Sequence, residues 1–204
     1  MKIFITGTDT NVGKTVVSSW LCLHSGYGYF KPIQTGSLSR TDSQRVSLLA
    51  GCTIYPEVYV YRNPVSPHEA ARLESDVIDI GTINLPASNN LVIEGAGGVL
   101  VPINQHVLMV DLMKQMGVPV ILVANSRLGM INHTLLSLEA MRSRGVKVLG
   151  VIVIGEKSFS NDEAIVWYGH TKILAHIPYV SKVSRSFLQQ IPLTSSLKEI
   201  MREA

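Results

Sequence analysis

The sequence has few cysteines and few charged residues, and these low counts argue against several classes of protein. Only two of its 204 residues are cysteines, Cys22 and Cys52, and their spacing fits neither a metal site nor a redox motif. This favours a reducing, cytoplasmic compartment. Charged residues make up only 16% of the chain, and the net charge is +3. Because no lysine-rich run or alternation of basic and aromatic residues occurs, we expect no nucleic-acid partner.

Long hydrophobic runs are also lacking. The longest lie around 118–124 and 146–154 and are too short to cross a bilayer, so we interpret them as buried strands and expect no membrane partner. The first residues do not form the charged-then-apolar pattern of a signal peptide. Hydrophobic residues nevertheless make up 46% of the sequence, which is enough for the core of a single domain over residues 1–204.

Short segments rich in Val and Ile alternate with segments of helical spacing. This alternation predicts βαβ units, and strands that are apolar throughout are typical of a parallel sheet covered on both faces. We therefore predict an α/β fold with a doubly wound, mostly parallel sheet. The predicted strands are 2–6, 27–33, 90–98, 118–125, 146–155 and 173–178, and the predicted helices are 13–25, 43–51, 67–74, 76–83, 107–117, 131–145, 162–169 and most of 184–203. Ligands of such sheets bind at the carboxyl ends of the strands.

The segment TGTDTNVGKT (6–15) joins the first predicted strand to the first helix. It ends like a phosphate-binding loop, G-x-x-x-x-G-K-[ST], but position 8 is Thr and the first glycine falls one place early, at Gly7. In this context backbone N–H groups bind phosphate oxygens. We expect Lys14 to reach the outer phosphates and the Thr15 hydroxyl to bind Mg²⁺. The alternative is a chance Gly-Lys-Thr at a helix start.

The segment NNLVIEGAGG ends an apolar strand with an acidic residue, Glu94. A carboxylate at this place can hold the same Mg²⁺ as Thr15. The alternative is a charged residue at a strand end before a turn. Glycines that allow a close backbone approach to a ligand follow at 95, 97 and 98.

The segment YFKPIQTG (29–36) puts Lys31 at the end of a strand that we expect near the phosphate loop. A second cation beside Lys14 would suit a substrate anion or a transferring phosphoryl group, whereas a solvated surface lysine is the alternative. Thr35 is placed to hydrogen-bond the same substrate. Asp42 either completes the metal site or caps the next helix, and its spacing alone favours the cap.

The segment SRLGMIN (126–132) follows the strand 118–125 and starts a predicted helix near Asn132. Free N–H groups at such a helix start attract a carboxylate. A plain loop fits the spacing equally well.

Together these segments resemble the dethiobiotin synthetase family, the ATP-dependent carboligases of biotin synthesis. The motifs that carry the resemblance are TGTDTNVGKT, KPIQTG, SPH, EGAGG and VILVANSRLGMINH, which occur in the family's order. They cover about residues 2–153, and the last quarter of the chain matches less clearly.

The resemblance implies a P-loop NTPase-like fold and a ligase with the substrates 7,8-diaminononanoate, CO₂ (or bicarbonate) and ATP, with Mg²⁺. CO₂ forms a carbamate on one amine, and ATP activates this carbamate as a carbamic–phosphoric anhydride. The second amine then closes the ureido ring, which releases ADP and phosphate. The resemblance also implies a homodimer with its sites at the subunit interface.

Roles for individual residues are likewise implied by the resemblance. The implied catalytic residues are Lys14, Lys31 and Thr10, and the implied Mg²⁺ ligands are Thr15, Asp42 and Glu94. The implied nucleotide-binding residues are Asn11, Val12, Gly13, Lys14, Thr15, Val16, Asp42, Glu94, Gly95, Ala96 and Gly97. The implied substrate-binding residues are Lys31, Thr35, Leu128, Gly129, Ile131 and Asn132, of which the segment from Leu128 to Asn132 comes from the partner subunit. In this interpretation residues 8–12 form a variant loop that also faces the second substrate.

Two positions depart from the family. Asn11 stands where relatives carry an acidic residue, and Ile154 stands where the family has an asparagine that reads adenine. Isoleucine has no hydrogen-bonding group, so we predict weak ATP binding and poor selectivity among nucleotide bases.

Two other classes of function compete with a ligase. One is a switch ATPase of the MinD or partition type, which acts by binding partners. Its loop, K-G-G-x-G-K-[ST], would put a signature lysine at position 9, where this chain has Asp9. The other is a nucleotide-binding module without catalysis, which would not need Lys31, Asp42 and Glu94 together.

Overall fold

A sheet of seven parallel strands organises the computed structural model, which describes residues 1–202. Its strands are β1 (Lys2–Gly7), β2 (Gly28–Phe30), β4 (Ile54–Tyr55), β6 (Leu91–Gly98), β7 (Val120–Asn125), β8 (Val148–Ile154) and β9 (Ile173–Ile177). They lie in the order β4-β2-β6-β1-β7-β8-β9. A second, two-stranded parallel sheet pairs β3 (Ile33–Gln34) with β5 (Tyr59–Val60).

Helices cover both faces of the large sheet. They are α1 (Lys14–Ser25), α2 (Asp42–Ala50), α3 (Pro67–Leu73), α4 (Met109–Met116), α5 (Met130–Arg142), α6 (Phe159–Gly169), α7 (Arg185–Gln189) and α8 (Ser195–Arg202). Helices α1, α2, α7 and α8 contribute to one hydrophobic core, and α3, α4, α5 and α6 contribute to the other. The predicted doubly wound α/β fold is therefore confirmed. Within residues 1–202, no helix combines the length and the apolar character needed to cross a membrane.

Strand β1 shows why the sheet is apolar throughout. Ile3, Phe4 and Ile5 are all fully buried, with Phe4 in one core and its two neighbours in the other. This alternation follows from the two-residue period of a strand that is covered on both faces. Strand β1 pairs with β6 on one side and with β7 on the other. The loop after β1 therefore begins near the middle of the sheet, at its carboxyl edge.

The predicted strand over 27–33 is wrong in its second half. Strand β2 ends at Phe30, and the chain then joins the small sheet at Ile33. Pro32 has no N–H to donate to a sheet, and its carbonyl accepts from the N–H groups of Val58 and Tyr59 instead. The break places Lys31 between the two sheets.

The predicted helix over 76–83 is also wrong, because the structure has only a 3-10 turn at Ile80–Thr82. The Asp76 carboxylate accepts from the N–H of Val77, and the Asp79 carboxylate accepts from the N–H of Gly81. Such local side-chain bonds compete with the helical ladder.

The predicted helix over 184–203 is interrupted, since residues 190–194 separate α7 from α8. Pro192 lies in this gap, where it cannot donate to a continuing helix. Residue 203 lies outside the described residues. The other predicted elements are present and differ only at their ends.

Candidate active site

The loop between β1 and α1 has the backbone of a phosphate-binding turn. Gly13 precedes the helix with φ of 102°, and Asn11 has φ of 58°. Positive φ is favourable for glycine and is tolerated by asparagine better than by most other residues. The asparagine at position 11 therefore suits the conformation of the loop without any need for a charge.

The early glycine of the loop has a steric reason. A Cβ atom on Gly7 would lie 2.6 Å from Val12 Cγ2, 2.9 Å from the Asp9 carbonyl oxygen and 3.1 Å from Lys14 Nζ. Only glycine leaves room here for the loop to fold back over the end of β1. The position of this glycine therefore follows from the way the loop packs against the end of β1.

Lys14 lies inside this loop. Its side chain is buried, and its Nζ donates a hydrogen bond of 2.9 Å to the Asp9 carbonyl oxygen. Burial lowers the pKa of Lys14 to about 8, although the carboxylate of Glu94 opposes the shift. An anion that approached Lys14 would favour its charged form.

A buried cluster of charges lies where Lys31, directly after the end of β2, meets Glu94 within β6. Lys31 Nζ lies 3.1 Å from Asp42 Oδ2 and 3.3 Å from Glu94 Oε1, and it also donates to the Gly95 carbonyl oxygen. Lys31 and Glu94 are 3% and 1% exposed. Burial acts to lower the pKa of Lys31, but the two carboxylates outweigh it and raise the pKa above its usual value. Lys31 is therefore a buried ammonium.

Strand register explains how this cluster forms. Phe30 pairs with Ile93 across β2 and β6, so the next residues, Lys31 and Glu94, emerge side by side. Thr15, in the first turn of α1, donates a 2.8 Å hydrogen bond from Oγ1 to Glu94 Oε1. The phosphate loop, Lys31 and Glu94 thus share one edge of the sheet.

Asp42 is not the cap of α2, contrary to what its spacing favours. Thr41 is the N-cap, and it forms a capping box with Gln44. Asp42 is the first residue of the helix, and its carboxylate turns to Lys31. Burial acts to raise the pKa of Asp42, but Lys31 outweighs it and lowers the pKa below its usual value.

Two residues of this site escaped the sequence prediction. Gln34 is 4% exposed, and its Oε1 accepts from the N–H of Asp42 at 3.1 Å, which fixes the start of α2. Tyr29 is fully buried, and its hydroxyl lies 3.0 Å from Glu94 Oε2. A polar residue beside KP and an aromatic residue in a buried strand are ordinary features, so the sequence carries no signal for either role.

The oxygen atoms at this cluster fit a Mg²⁺ ion. Thr15 supplies a hydroxyl, and Asp42 and Glu94 supply carboxylates that converge on the Lys31 ammonium. Oxygen ligands of this kind, combined with those of a nucleotide, are what Mg²⁺ prefers. Across residues 1–202, no group of three or more His, Cys, Asp or Glu side chains is arranged to hold a metal.

A cleft of about 560 Å³ opens above these groups. The predicted site residues that line it are Thr10, Asn11, Gly13, Lys14, Thr15, Val16, Lys31, Thr35, Asp42, Glu94, Ala96 and Gly97. Val12 packs into a core instead, and Gly95 faces Phe4. Arg40 and Arg45, which the sequence analysis did not single out, add positive charge to the wall.

The predicted substrate residues at 128–132 do not line this cleft. Gly129 precedes α5 with φ of 93°, while Leu128 is fully exposed at the tip of the loop and Asn132 is also exposed. Within one chain the structure thus does not bring this segment together with the rest of the predicted site.

Ile154 lies at the end of β8, and its side chain is 6% exposed. It packs under the phosphate loop, where a Cβ atom on Gly13 would overlap its Cδ1. Its apolar side chain therefore packs against the phosphate loop at Gly13 and supports the conformation of the loop.

Comparison with solved structures shows the fold. The cell-division ATPase MinD from Pyrococcus furiosus is 17% identical, with a TM-score of 0.61 over 100% of this chain and 99% of that chain. A putative plasmid partition protein from Borrelia burgdorferi bound to AMPPNP is 11% identical, with a TM-score of 0.57 over 100% and 98%. A family model described as an AAA domain matches residues 1–186. The fold and the loop define a P-loop NTPase-like protein.

Comparison with curated proteins identifies the family within this class. An ATP-dependent dethiobiotin synthetase of Lawsonia intracellularis is 56% identical over 98% of this chain and 98% of its own length. The synthetase of Paramagnetospirillum magneticum is 46% identical over 93% and 94%, and that of Neorickettsia sennetsu is 42% identical over 98% and 96%. This chain belongs to the dethiobiotin synthetase family.

The contacts around Gly7 predict the result of a single substitution. In Gly7→Ala the added methyl group must displace Val12, the Asp9 carbonyl or Lys14, at a cost of about 1–3 kcal/mol for such crowding. We expect ATP affinity, measured by calorimetry, to fall at least about fivefold, which is about 1 kcal/mol. Gly81→Ala is the control, because its closest contact is the carboxylate of exposed Asp79. Unchanged ATP affinity in Gly7→Ala would show that the glycine is not needed by the loop.

Proposed function

We propose that this protein is a dethiobiotin synthetase that uses 7,8-diaminononanoate, CO₂ and MgATP to close the ureido ring of dethiobiotin. The observation that carries the proposal is the buried ammonium of Lys31 beside the phosphate loop. A cation held by Asp42 and Glu94, close to Lys14, suits a reaction in which an anion attacks a phosphoryl group. Family membership supplies the identity of the substrates.

The phosphate loop holds the triphosphate of ATP in this proposal. Backbone N–H groups of residues 11–16 face the phosphates, and Lys14 leaves the Asp9 carbonyl to contact the outer phosphates. Thr15, Asp42 and Glu94 hold Mg²⁺, which shields the phosphate charge when it is bound. Ala96 and Gly97, which line the cleft, flank the nucleotide.

Lys31 acts on the reacting groups. It binds the carbamate and keeps its charged oxygen in line with the γ-phosphoryl group. As that oxygen bonds to phosphorus and the bond from phosphorus to the β-phosphate oxygen of departing ADP breaks, Lys31 also stabilises the charge that develops on the phosphoryl oxygens. The second amine then attacks the carbamate carbon, and phosphate leaves with one oxygen that came from CO₂.

The remaining predicted residues position the diamine. The hydroxyl groups of Thr10 and Thr35 lie on the wall of the same cleft. Residues 128–132 complete the site from a partner subunit in a homodimer, with the carboxylate of the substrate at the start of α5. The full exposure of Leu128 and the exposure of Asn132 support this assignment, because they leave the loop free to reach another chain.

The switch ATPase is a weaker alternative. Position 9 carries an aspartate where the loop of that class has its signature lysine. A buried ammonium between two carboxylates suits phosphoryl transfer to a substrate anion, a step that partner binding by itself does not require. The likeness to MinD and partition proteins is 17% identity or less, so it supports the fold alone.

Phosphate release from MgATP tests the proposed function. We expect release only when both diaminononanoate and bicarbonate are present, because the carbamate is the group that accepts the phosphoryl. Omission of either compound is the control. Phosphate release that does not depend on the diamine would contradict the assignment of this protein as a synthetase.

Lys31→Ala tests the central cation. We expect turnover to fall by about two orders of magnitude or more, as for the loss of a preorganised charge. The substitution also leaves two carboxylates without their partner, so the variant should be less stable in EDTA and recover stability when Mg²⁺ is added. Lys147→Ala, which changes an exposed lysine, is the control. Near-normal turnover in a folded Lys31→Ala protein would contradict the role.

Glu94→Gln tests the metal site, since it keeps the shape of the side chain and removes its charge. Hydrogen bonds and contacts to charged groups are worth about 1.5–3 kcal/mol. We therefore expect the Mg²⁺ concentration for half-maximal activity to rise at least ~10-fold. Glu139→Gln, on the exposed face of α5, is the control. An unchanged Mg²⁺ dependence would mean that Glu94 has a purely structural role within β6.

Nucleotide selectivity tests the consequence of Ile154. Its buried, apolar side chain offers no hydrogen bond to a base, so we expect weak ATP binding and similar kcat/KM values for ATP, GTP and CTP. The three nucleotides are compared in one assay with the same diamine and bicarbonate. A preference for ATP of about a hundredfold, worth ~2.7 kcal/mol, would mean that another group reads the base.

A further inference from the structure

Tyr29 contacts the proposed metal ligand Glu94 but has no part in the function proposed above. Its side chain is fully buried, and its hydroxyl lies 3.0 Å from Glu94 Oε2. An ionised carboxylate can only accept hydrogen bonds, so the tyrosine hydroxyl is the donor. The contact joins residues that are 65 positions apart in the sequence.

The sheet places these two side chains on the same face. Tyr29 pairs with Val92 in the parallel register of β2 and β6. Glu94 lies two residues beyond Val92, so it projects to the same side and is the diagonal neighbour of Tyr29. A diagonal pair of this kind is within reach of an aromatic side chain.

The two oxygens of Glu94 have separate partners. Oε1 accepts from Thr15 at 2.8 Å and from Lys31 at 3.3 Å, whereas Oε2 accepts from Tyr29. The terminal torsion of a glutamate has broad, shallow minima. A donor on Oε2 therefore sets the plane of the carboxylate and turns Oε1 toward Thr15 and the phosphate loop.

The hydroxyl of Tyr29 is a permanent donor. Burial and the nearby Glu94 carboxylate raise the pKa of Tyr29 well above its usual value. A tyrosine hydroxyl is a donor at neutral pH in any case, because its ordinary pKa is about 10. Its bond to Glu94 is therefore a fixed part of the site.

We propose that Tyr29 is a positioning residue, whose hydroxyl holds Glu94 in the orientation in which Oε1 binds Mg²⁺ together with Thr15 and Asp42. The inference rests on the proposed function, because it requires Mg²⁺ at this carboxylate. Residues that orient a metal ligand in this way typically contribute about 10–100-fold to metal affinity.

Tyr29→Phe tests the inference, since it removes the hydroxyl and keeps the ring in the core. ADP binding is measured by calorimetry over a series of Mg²⁺ concentrations, which yields the Mg²⁺ concentration for half-maximal affinity. We expect this value to rise about tenfold, with ADP affinity in excess EDTA unchanged. Saturating Mg²⁺ should restore full binding, which also shows that the variant is folded.

Tyr27→Phe is the matched control. Tyr27 is also buried, and its hydroxyl donates to the Met201 carbonyl oxygen, in a different part of the molecule. This variant should keep the Mg²⁺ requirement of the unmodified protein even if its thermal stability falls. In a Glu94→Gln background, Tyr29→Phe should add no further change, because the tyrosine acts through the glutamate.

Four results would overturn the inference. The first is an unchanged Mg²⁺ requirement in Tyr29→Phe, and the second is an equal rise of the Mg²⁺ requirement in Tyr27→Phe. The third is a rise that Tyr29→Phe still causes in the Glu94→Gln background. The fourth is a loss of ADP binding that saturating Mg²⁺ does not restore. Failure of the proposed function gives a different result. In that case the unmodified protein would show no Mg²⁺-dependent ADP binding, or no phosphate release with diamine and bicarbonate.

Discussion

The ion cluster of Lys31 with Asp42 and Glu94 is the interaction on which the rest of the site depends. A buried ammonium is costly unless it is paired, and a buried carboxylate is equally costly alone. The two carboxylates, at 3.1 and 3.3 Å from Lys31 Nζ, raise the pKa of Lys31 and favour its charged form inside the protein. The same carboxylates are the groups that we assign to Mg²⁺. In the function we propose, one arrangement thus holds both the cation for the substrate and the ligands for the metal.

The surrounding structure is organised to bring these three groups together. Strand register sets Lys31 beside Glu94, and the break after β2 frees Lys31 from the sheet. The capping box at Thr41 and the bond from Gln34 place the first turn of α2, so that Asp42 turns to Lys31. Each of these supports is a backbone or polar contact, and Gln34 itself lines the cleft. Their role is geometric, as expected for a preorganised site.

The sequence predicts the parts of this site that are local, and misses those that depend on contacts between elements. The loop at 6–15 follows an apolar strand, and Glu94 follows the apolar run at the start of β6, so their places near the carboxyl edge of the sheet could be predicted. The cap at Thr41 could not be separated from Asp42 by spacing, because both residues suit a helix start. Tyr29 could not be found, since its contact with Glu94 depends on the register of two strands far apart in sequence. The assignment of 128–132 to a partner subunit stays a prediction.

The source of the oxygen atoms in the released phosphate tests the account most directly. In a reaction through a carbamic–phosphoric anhydride, the bond between carbon and the bridging oxygen breaks, so phosphate carries one oxygen from CO₂. With ¹⁸O-labelled CO₂, used before its oxygens exchange with water, the account predicts one ¹⁸O in each phosphate, formed only when the diamine is present. Phosphate whose new oxygen comes from water would show simple hydrolysis of ATP, and it would contradict a reaction in which a carbamate attacks the γ-phosphoryl group.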